Sequence, residues 1–270
     1  MFYDDGIICR SSLLDIPGIC HGFSTRLGGV STHPYTSEMN LAFGREDSDE
    51  IVRENHSIFA GAVSGGVLGA CDVVAAPQIH SADVRVVGMD ARGEGVTRDA
   101  ASKLDGFVTA SPGVMLLVRV ADCVPILLVG QRDGEPVVAA LHAGWRGTAA
   151  GIVLSGLREM EKLGCTADTV KAAVGAHIGV CCFEVGEDMR DAVADLRGRD
   201  FTRRHIKETD GKLHADLTGM NRELLLESGV LPNNIDVSPE CTCCRGDKYH
   251  SHRRTGGKRG GMGAAVAILP

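Results

Sequence analysis

The sequence predicts an α/β fold in which strands of mixed direction alternate with helices. Short runs of apolar residues are bounded by turn residues, a pattern typical of strands covered on both faces. Between these runs lie segments whose apolar residues recur at helical spacing. A chain of 270 residues, 44% of them hydrophobic, can bury a large core. No change in composition divides the chain, so we expect a single domain over residues 1–270.

The predicted strands lie mainly in the middle and at the end of the chain. Runs rich in valine, leucine and isoleucine favour strands where turn or charged residues bound them. On this basis the sequence predicts strands at residues 114–120, 125–129, 137–141, 169–174, 235–237 and 264–269.

The predicted helices occupy several of the intervals between these strands. Ala149, Ile152, Val153, Leu157 and Met160 recur at a spacing that forms one apolar helix face. The same reasoning predicts helices at residues 49–59, 149–160, 188–196 and 217–228. Two of them are followed by a glycine suited to end a helix, namely Gly164 and Gly229.

The overall charge and the apolar pattern exclude two classes of function. The net charge is −7 and the isoelectric point about 5.8, which argues against a nonspecific nucleic-acid binder. The segment 113–130 is the longest apolar stretch, but Arg119 and Asp122 interrupt it, so no membrane span is expected. The first residues lack the basic and then apolar pattern of a signal peptide.

The chain contains ten cysteines, including the adjacent pairs at 181–182 and 243–244. A long chain with adjacent cysteines and no signal peptide fits reduced thiols better than a disulfide framework. We therefore expect a cytoplasmic protein.

Three residues in short motifs are candidate metal ligands. His80 and His142 offer imidazoles, and Cys123 offers a thiolate. Together they can fill three corners of a tetrahedral zinc site and leave the fourth open, which is the arrangement of a catalytic site. Their long spacing carries no zinc-finger pattern, however, so spacing alone leaves open that they are ordinary hydrogen-bonded histidines and a small buried cysteine.

Two aspartates near these residues allow two interpretations each. Asp122 precedes Cys123, and its carboxylate can either orient a ligating histidine or cap a backbone amide in a turn. Asp105 precedes Gly106, and because Asp-Gly is a turn signal we favour a structural role there.

The motifs of the chain, taken in order, resemble one family over almost the whole length. It was long described as multicopper polyphenol oxidase, or laccase-domain, proteins and is now described as zinc-dependent purine nucleoside phosphorylases. The segments that carry the resemblance are residues 21–31, 40–41, 52–55, 78–80, 105–107, 121–125, 142–147, 179–186, 216–217, 241–244 and 251–254.

The resemblance implies a layered α/β/β/α fold with mixed sheets. It implies that His80, Cys123 and His142 bind Zn²⁺. It also implies a cytoplasmic enzyme, a monomer or small homo-oligomer, that cleaves purine nucleosides (adenosine, inosine, guanosine, methylthioadenosine) with inorganic phosphate and also deaminates adenosine. His252 and Ser81 stand where the family commonly has tyrosine and glycine, which bears on substrate preference more than on reaction type.

Phosphorolysis requires a pocket for the phosphate dianion, and arginine forks are suited to it. Arg26 lies in a glycine-bounded loop, Arg146 precedes a predicted helix, and Arg253 and Arg254 are adjacent. We expect these four residues to bind substrate. A basic segment that contains the last two also includes Lys248, Lys258 and Arg259.

Deamination requires a group that moves protons beside a zinc-bound water. Asp122 and Glu184 are the candidate carboxylates, although Glu184 fits a structural ion pair equally well.

Three other functions compete with this hypothesis. A copper oxidase, with Cu²⁺ as cofactor, would need many clustered histidines, and only residues 250–252 form a His-x-His pair. A cysteine hydrolase would use Cys123 as nucleophile and His142 as base, but His80 then has no role. A separate thiolate site could use Cys241 and its neighbours at 243 and 244, but this C-x-C-C spacing lacks a second half, so we expect a structural role and no second metal.

Overall fold

The computed structural model describes all residues, 1–270. Its strands are β1 (Phe2–Asp5), β2 (Ile8–Ser11), β3 (Ile19–Ser24), β4 (Val73–Val74), β5 (Val84–Val86), β6 (Gly106–Thr109), β7 (Met115–Val120), β8 (Val124–Arg132), β9 (Glu135–Ala143), β10 (Lys171–Val174), β11 (Glu184–Val185), β12 (Ile206–Thr209), β13 (Lys212–Ala215), β14 (Ile235–Val237) and β15 (Met262–Ile268). Its helices are α1 (Asp49–Ser64), α2 (Trp145–Ala150), α3 (Ile152–Lys162), α4 (Glu187–Arg197), α5 (Arg199–His205), α6 (Leu217–Glu227) and α7 (His252–Thr255).

The strands form two six-stranded sheets and a small three-stranded one. The first sheet has the order β1-β2-β3-β15-β7-β4, the second β14-β10-β8-β9-β6-β5, and the third β11-β13-β12. Most neighbours are antiparallel, but β4 runs parallel to β7, β10 to β14 and β5 to β6. This mixture of directions confirms the mixed pairing expected from the sequence.

The two large sheets stack face to face, and helices cover their outer faces. Because side chains alternate along a strand, Leu116 of β7 points into the middle core, where Leu127 of the second sheet also lies. Its neighbour Leu117 points outward and packs with Phe59 of α1. On the outer face of the second sheet, Met160 of α3 packs into a separate core between that sheet and the helices that cover it. The layers are therefore α/β/β/α, as the family resemblance implies.

The predicted strands and helices are confirmed, and their boundaries differ from the predicted ones where turns set them. The helix predicted at 149–160 is two helices, because Gly151 between them has φ +90° in the left-handed region. Strands β8 and β9 are longer than predicted because Asp133 and Gly134, both with positive φ, close them into a two-residue hairpin. No helix combines the length and the apolar character needed to cross a membrane.

One connection between the two sheets matters for the site. Strand β7 ends at Val120 in the first sheet, and β8 begins at Val124 in the second. The intervening residues 121–123 therefore cross from one sheet to the other, and Asp122 makes this turn with φ +92°. Cys123 is thereby held where the end of β7 in one sheet meets the start of β8 in the other.

Candidate metal centre and active-site cleft

The structure brings His80, Cys123 and His142 together. Their ligand atoms all lie within 4.8 Å of one another. The Sγ atom of Cys123 is 3.8 Å from Nε2 of His80, and the rings of His80 and His142 meet edge to face with centroids 4.9 Å apart. Residues separated by 43 and 19 positions in the sequence thus form a single group.

Each of the three residues is placed by a different part of the fold. His142 lies in β9 and pairs with Pro125 of β8. Cys123 directly precedes β8. His80 lies in the loop between β4 and β5, with φ +61° in the left-handed region. Such a conformation costs a non-glycine residue about 1–3 kcal/mol, so the surrounding structure must hold it.

Asp105 provides that support. Its buried carboxylate accepts hydrogen bonds from Nδ1 of His142 at 2.7 Å and from the backbone N–H of His80 at 3.0 Å. It also accepts from the backbone N–H of Ile79 and from both the N–H and the hydroxyl of Ser81. One carboxylate therefore fixes two candidate ligands. Our expectation of a simple turn role for Asp105 is wrong, because a turn signal in sequence cannot reveal what the side chain meets in space.

The site is strongly polarised. Burial raises the pKa of the Asp105 carboxyl, but hydrogen bonds from His142 and Ser81 lower it to about 2. Burial also raises the pKa of Cys123, yet the His142 imidazolium beside it and hydrogen bonds with both histidines lower it to about 6. Burial lowers the pKa of His142, whereas the Cys123 thiolate and Asp105 raise it to about 9. Without a metal, the pair is therefore thiolate and imidazolium at neutral pH.

The residues present fit a metal ion. Because Asp105 accepts a hydrogen bond from Nδ1 of His142, the Nε2 atom of that ring is available as a ligand. Gly144 keeps the space free, since a Cβ there would lie 2.6 Å from Cδ2 of His80 and 3.3 Å from Sγ of Cys123. Two imidazoles and a thiolate are a ligand set that zinc accepts in catalytic sites.

We expect Cys123 of the metal-free protein to react with iodoacetamide at low pH. The thiolate is the nucleophile, so the rate should rise through pH 6 and level off above it, following the lowered pKa of Cys123 of about 6. A free cysteine peptide, with a pKa of about 8.5, should still be accelerating at pH 8. Mass spectrometry of the alkylated peptide measures both rates.

Zinc should block this alkylation, and a chelator should restore it. Reaction at an undiminished rate in the presence of saturating zinc would instead favour a cysteine nucleophile paired with His142.

A cleft of about 560 Å³ opens over the three residues. Its walls are rich in positive charge, contributed by Arg53, Arg98, Arg119 and Arg259. The Arg259 side chain is half-buried, and its Nε atom is buried without a hydrogen-bond partner. A buried donor without an acceptor is costly in a folded protein, so this guanidinium is suited to an anionic ligand. Among these arginines, only Arg259 lies in the basic segment noted in the sequence.

The arginines that we expected to bind substrate do not line this cleft. Arg26 donates hydrogen bonds to the backbone carbonyls of Ser37 and Gly246. Arg146 is exposed and stacks on the Trp145 ring, with its guanidinium carbon 4.2 Å from the centroid. Their role in substrate binding stays a prediction that the geometry does not favour.

Arg253 and Arg254 lie against loops instead. Arg253 donates to the carbonyls of Cys182 and Glu184, and Arg254 to that of Cys243. Neither of these arginines lines the cleft.

The two carboxylates proposed to move protons are also engaged elsewhere. Asp122 accepts hydrogen bonds from the Thr242 hydroxyl at 2.6 Å and from the Arg253 backbone N–H at 2.7 Å. The bond from a backbone N–H agrees with the interpretation in which Asp122 caps a backbone amide. The exposed Glu184 carboxylate pairs with Lys212 at 2.8 Å. Neither residue lines the cleft, and their catalytic roles remain predictions.

The fold and site define a class of protein: a sandwich of two mixed sheets with a His₂Cys group at a shared edge. The family described as multi-copper polyphenol oxidoreductase laccase matches residues 20–269. The chain is 34% identical to a protein from Bacteroides thetaiotaomicron named purine nucleoside phosphorylase, over 98% of this chain and 97% of the relative. It is 36% identical to adenosine deaminase RL5 from an unknown prokaryotic organism, over 68% of this chain and 71% of the relative.

A solved structure has the same fold over the full length. The hypothetical protein YfiH of Bacillus licheniformis superposes with a TM-score of 0.89 at 29% identity, covering 99% of this chain and 98% of that one. The chain belongs to this laccase-like family, which includes proteins named purine nucleoside phosphorylase and adenosine deaminase.

Proposed function

We propose that this protein is a purine nucleoside phosphorylase that holds zinc with His80, Cys123 and His142 and uses inorganic phosphate as co-substrate. The observation that carries the proposal is the cleft in which these three residues lie together with four arginines. A metal group and a cationic wall in one cleft suit a reaction between a nucleoside and an anion. The relative from Bacteroides thetaiotaomicron bears the same activity in its name.

The arginines account for phosphate binding. Arg259 offers a guanidinium with an unpartnered Nε, and Arg119 reaches the same cleft from the end of β7. Charge-assisted bonds from guanidinium to phosphate are strong and directional. Arg119 also donates to the Ala76 carbonyl and lies over the Phe43 ring, so its position is fixed before substrate arrives. Phosphate would therefore be bound beside the candidate metal ligands.

Phosphorolysis exchanges one bond for another at the anomeric carbon. A phosphate oxygen forms a bond to C1′, the bond from C1′ to the purine nitrogen breaks, and the purine leaves with the electron pair and takes a proton. A bound zinc ion would supply a Lewis acid that stabilises developing negative charge. The chain's own residues orient the partners: the arginines hold the phosphate, and Asp105 keeps His142 and His80 in place.

The arrangement of histidines favours zinc over the alternative Cu²⁺. Among the groups of side chains able to hold a metal, only the one at His80 and His142 contains histidine. The imidazole of His250 is buried and lies against the Met39 carbonyl, outside the cleft. A multicopper cluster would need several more histidines than the site offers. Metal analysis of the purified protein would settle the choice, since stoichiometric copper with a blue absorption band would contradict zinc.

Adenosine deamination is a second candidate for the same cleft. The chain's likeness to adenosine deaminase RL5 favours it. Three protein ligands leave one corner of a tetrahedral site for water, and zinc-bound water is the nucleophile of zinc deaminases. Asp122 and Glu184 are held in other contacts, so the proton-transfer group would have to be assigned by mutation of each.

The proposed function predicts base release that depends on phosphate. Zinc-loaded protein would be incubated with adenosine, inosine, guanosine and methylthioadenosine, with and without phosphate, and free base, sugar phosphate and inosine would be separated by chromatography. We expect free base and sugar phosphate in equal amounts, and only with phosphate. Conversion of adenosine to inosine without phosphate would report the deaminase activity separately.

Cys123→Ala is the inactive control, and Cys71→Ala, at an exposed cysteine outside the site, is its matched counterpart. Loss of a residue that is hydrogen-bonded to a metal ligand already lowers metal affinity or activity by about 10–100-fold. Loss of the thiolate ligand itself should therefore lower activity by at least about 100-fold. Base release without phosphate, or full activity of Cys123→Ala, would contradict the proposal.

A further inference from the structure

A second group of thiols lies outside the cleft. Cys181, Cys182, Cys241 and Cys244 place their four Sγ atoms within 4.8 Å of one another. The expectation that the C-x-C-C segment lacks a matching second half is therefore wrong. The second half is the adjacent pair at 181–182, about 60 residues away in sequence, which spacing rules could not connect to it.

The distances among three of these sulfurs match those of a metal tetrathiolate, and the sulfur of Cys241 lies within 4.8 Å of each of them. A tetrahedral zinc ion with Zn–S bonds of about 2.3 Å separates its sulfurs by about 3.8 Å. Here the Sγ atom of Cys181 is 3.8 Å from that of Cys182 and 3.7 Å from that of Cys244. The Sγ atoms of Cys182 and Cys244 are 3.5 Å apart. A disulfide would instead hold its sulfurs about 2.05 Å apart, and all four cysteines are free.

The backbone is shaped around the sulfurs. The N–H of Gly179 donates a hydrogen bond to Sγ of Cys241 at 3.1 Å, and such bonds stabilise a thiolate. A Cβ at Gly179 would lie 3.2 Å from Sγ of Cys181, a tight contact, and 3.5 Å from Sγ of Cys241, so glycine leaves the sulfur of Cys181 the most room. The Cys182 N–H bonds to the Gly179 carbonyl and closes the turn that presents the adjacent pair.

The fifth nearby cysteine, Cys243, lies outside the group whose sulfurs are mutually close. Cys243 packs against the core between the second sheet and its helices, as Cys182 and Cys241 also do, but its sulfur is not part of the four-sulfur group. The ligand pair in this loop is therefore Cys241 and Cys244, and this C-x-x-C spacing is common in zinc sites.

Positive charge surrounds the two loops. A dication with four thiolates carries a net charge of −2. Arg253 donates to the carbonyls of Cys182 and Glu184, and Arg254 to that of Cys243. These contacts place two guanidinium groups against the backbone of the two loops, where they would offset part of that charge. This gives a reason for the paired arginines that the cleft does not use.

We propose that Cys181, Cys182, Cys241 and Cys244 bind a structural zinc ion as four thiolates. All four corners are then occupied by protein, which is the mark of a structural rather than a catalytic site. The proposal does not depend on the activity proposed for the cleft.

The ion would join the loop after β10 to the loop after β14 and so brace the turn that carries Cys123. Between the ligands of the second loop, Thr242 donates to Asp122 beside Cys123. From the first loop, the Ile178 N–H donates to the Asp122 carbonyl at 2.9 Å. Loss of the ion should therefore loosen the metal ligand of the cleft as well as the loops themselves.

The test is the zinc content of protein purified under reducing conditions from zinc-supplemented cultures. We expect two zinc ions per chain in the wild type, one in Cys123→Ala, and one or fewer in Cys241→Ser. Cys243→Ser is the matched control in the same loop and should keep two. X-ray absorption of Cys123→Ala should show four sulfurs at about 2.3 Å from zinc.

Cys123→Ala leaves the second group intact, so the proposal remains testable even if Cys241→Ser does not fold. A Cys123→Ala protein that holds no zinc, or one whose zinc has nitrogen ligands, would overturn the proposal. Thiol titration of protein purified without reductant, in denaturant with chelator, distinguishes the disulfide alternative, because all ten cysteines of the wild type should react. A shortfall of two or four thiols would also overturn it. Zinc bound only at the four thiols would contradict the proposed function and leave this inference standing.

Discussion

Asp105→Asn is expected to weaken metal binding and destabilise the fold at the same time. The carboxylate of Asp105 is fully buried and accepts hydrogen bonds from five donors in two chain segments. An asparagine amide can accept on one side only, so its NH₂ group must face N–H donors on the other. If it faces His142, the imidazole must shift its proton to Nε2, the nitrogen needed for the metal.

The size of the effect follows from these lost contacts. Removing one charged partner from a buried hydrogen-bonded pair typically costs about 3–5 kcal/mol, which should lower the Tm of a chain of this size by roughly 10 °C. Loss of the carboxylate behind a ligating histidine costs about 10–100-fold in metal affinity. If the NH₂ group faces His142, His80 also loses the contact that holds its left-handed backbone, because its N–H bonds to the same carboxylate oxygen.

Thermal unfolding in chelator measures the stability of the metal-free variants, and competition with a chromophoric chelator measures zinc affinity. Asp83→Asn is the matched control, since Asp83 is an exposed neighbour whose carboxylate accepts no hydrogen bond. We expect it to behave as wild type. Zinc affinity and Tm of Asp105→Asn equal to those of wild type would show that Asp105 does not organise the site.

Arg259→Gln is expected to reduce phosphorolysis through phosphate binding, with the metal unaffected. The Arg259 guanidinium lines the cleft and has a buried Nε without a partner. Removing one well-placed donor from an anion-stabilising site typically costs about 100–1000-fold in rate, so we expect a loss of about 100-fold or more in kcat/KM for phosphate. Zinc content should stay at the wild-type level.

Three further variants sharpen this test. Arg259→Lys keeps the charge but loses the planar fork, so it should recover part of the activity. Arg253→Gln examines the assignment expected from the sequence, and Arg222→Gln, at an exposed arginine of α6, serves as the surface control. A large rise in the KM for phosphate in Arg253→Gln, with Arg259→Gln unaffected, would return phosphate binding to the sequence-based candidate.

The sequence located most of the secondary structure because its signals are local. The strand predicted at 235–237 agrees with β14, and that at 114–120 differs from β7 by one residue. The predicted helix at 149–160 was divided by a single glycine, which a periodic apolar pattern does not reveal. The short strands β4, β5 and β11 carry no periodic pattern and are defined by the neighbours they pair with.

Sequence by itself determined the fold class, the family and the three candidate metal ligands, because each rests on residue types in short contiguous motifs. Only the tertiary structure decided what surrounds those ligands. It brought Asp105 beneath His142, placed Arg259 rather than Arg253 in the cleft, and joined two distant cysteine pairs. The physical reason is that a hydrogen bond, an ion pair or a metal site depends on distances between side chains, and those distances are set by how the two sheets stack.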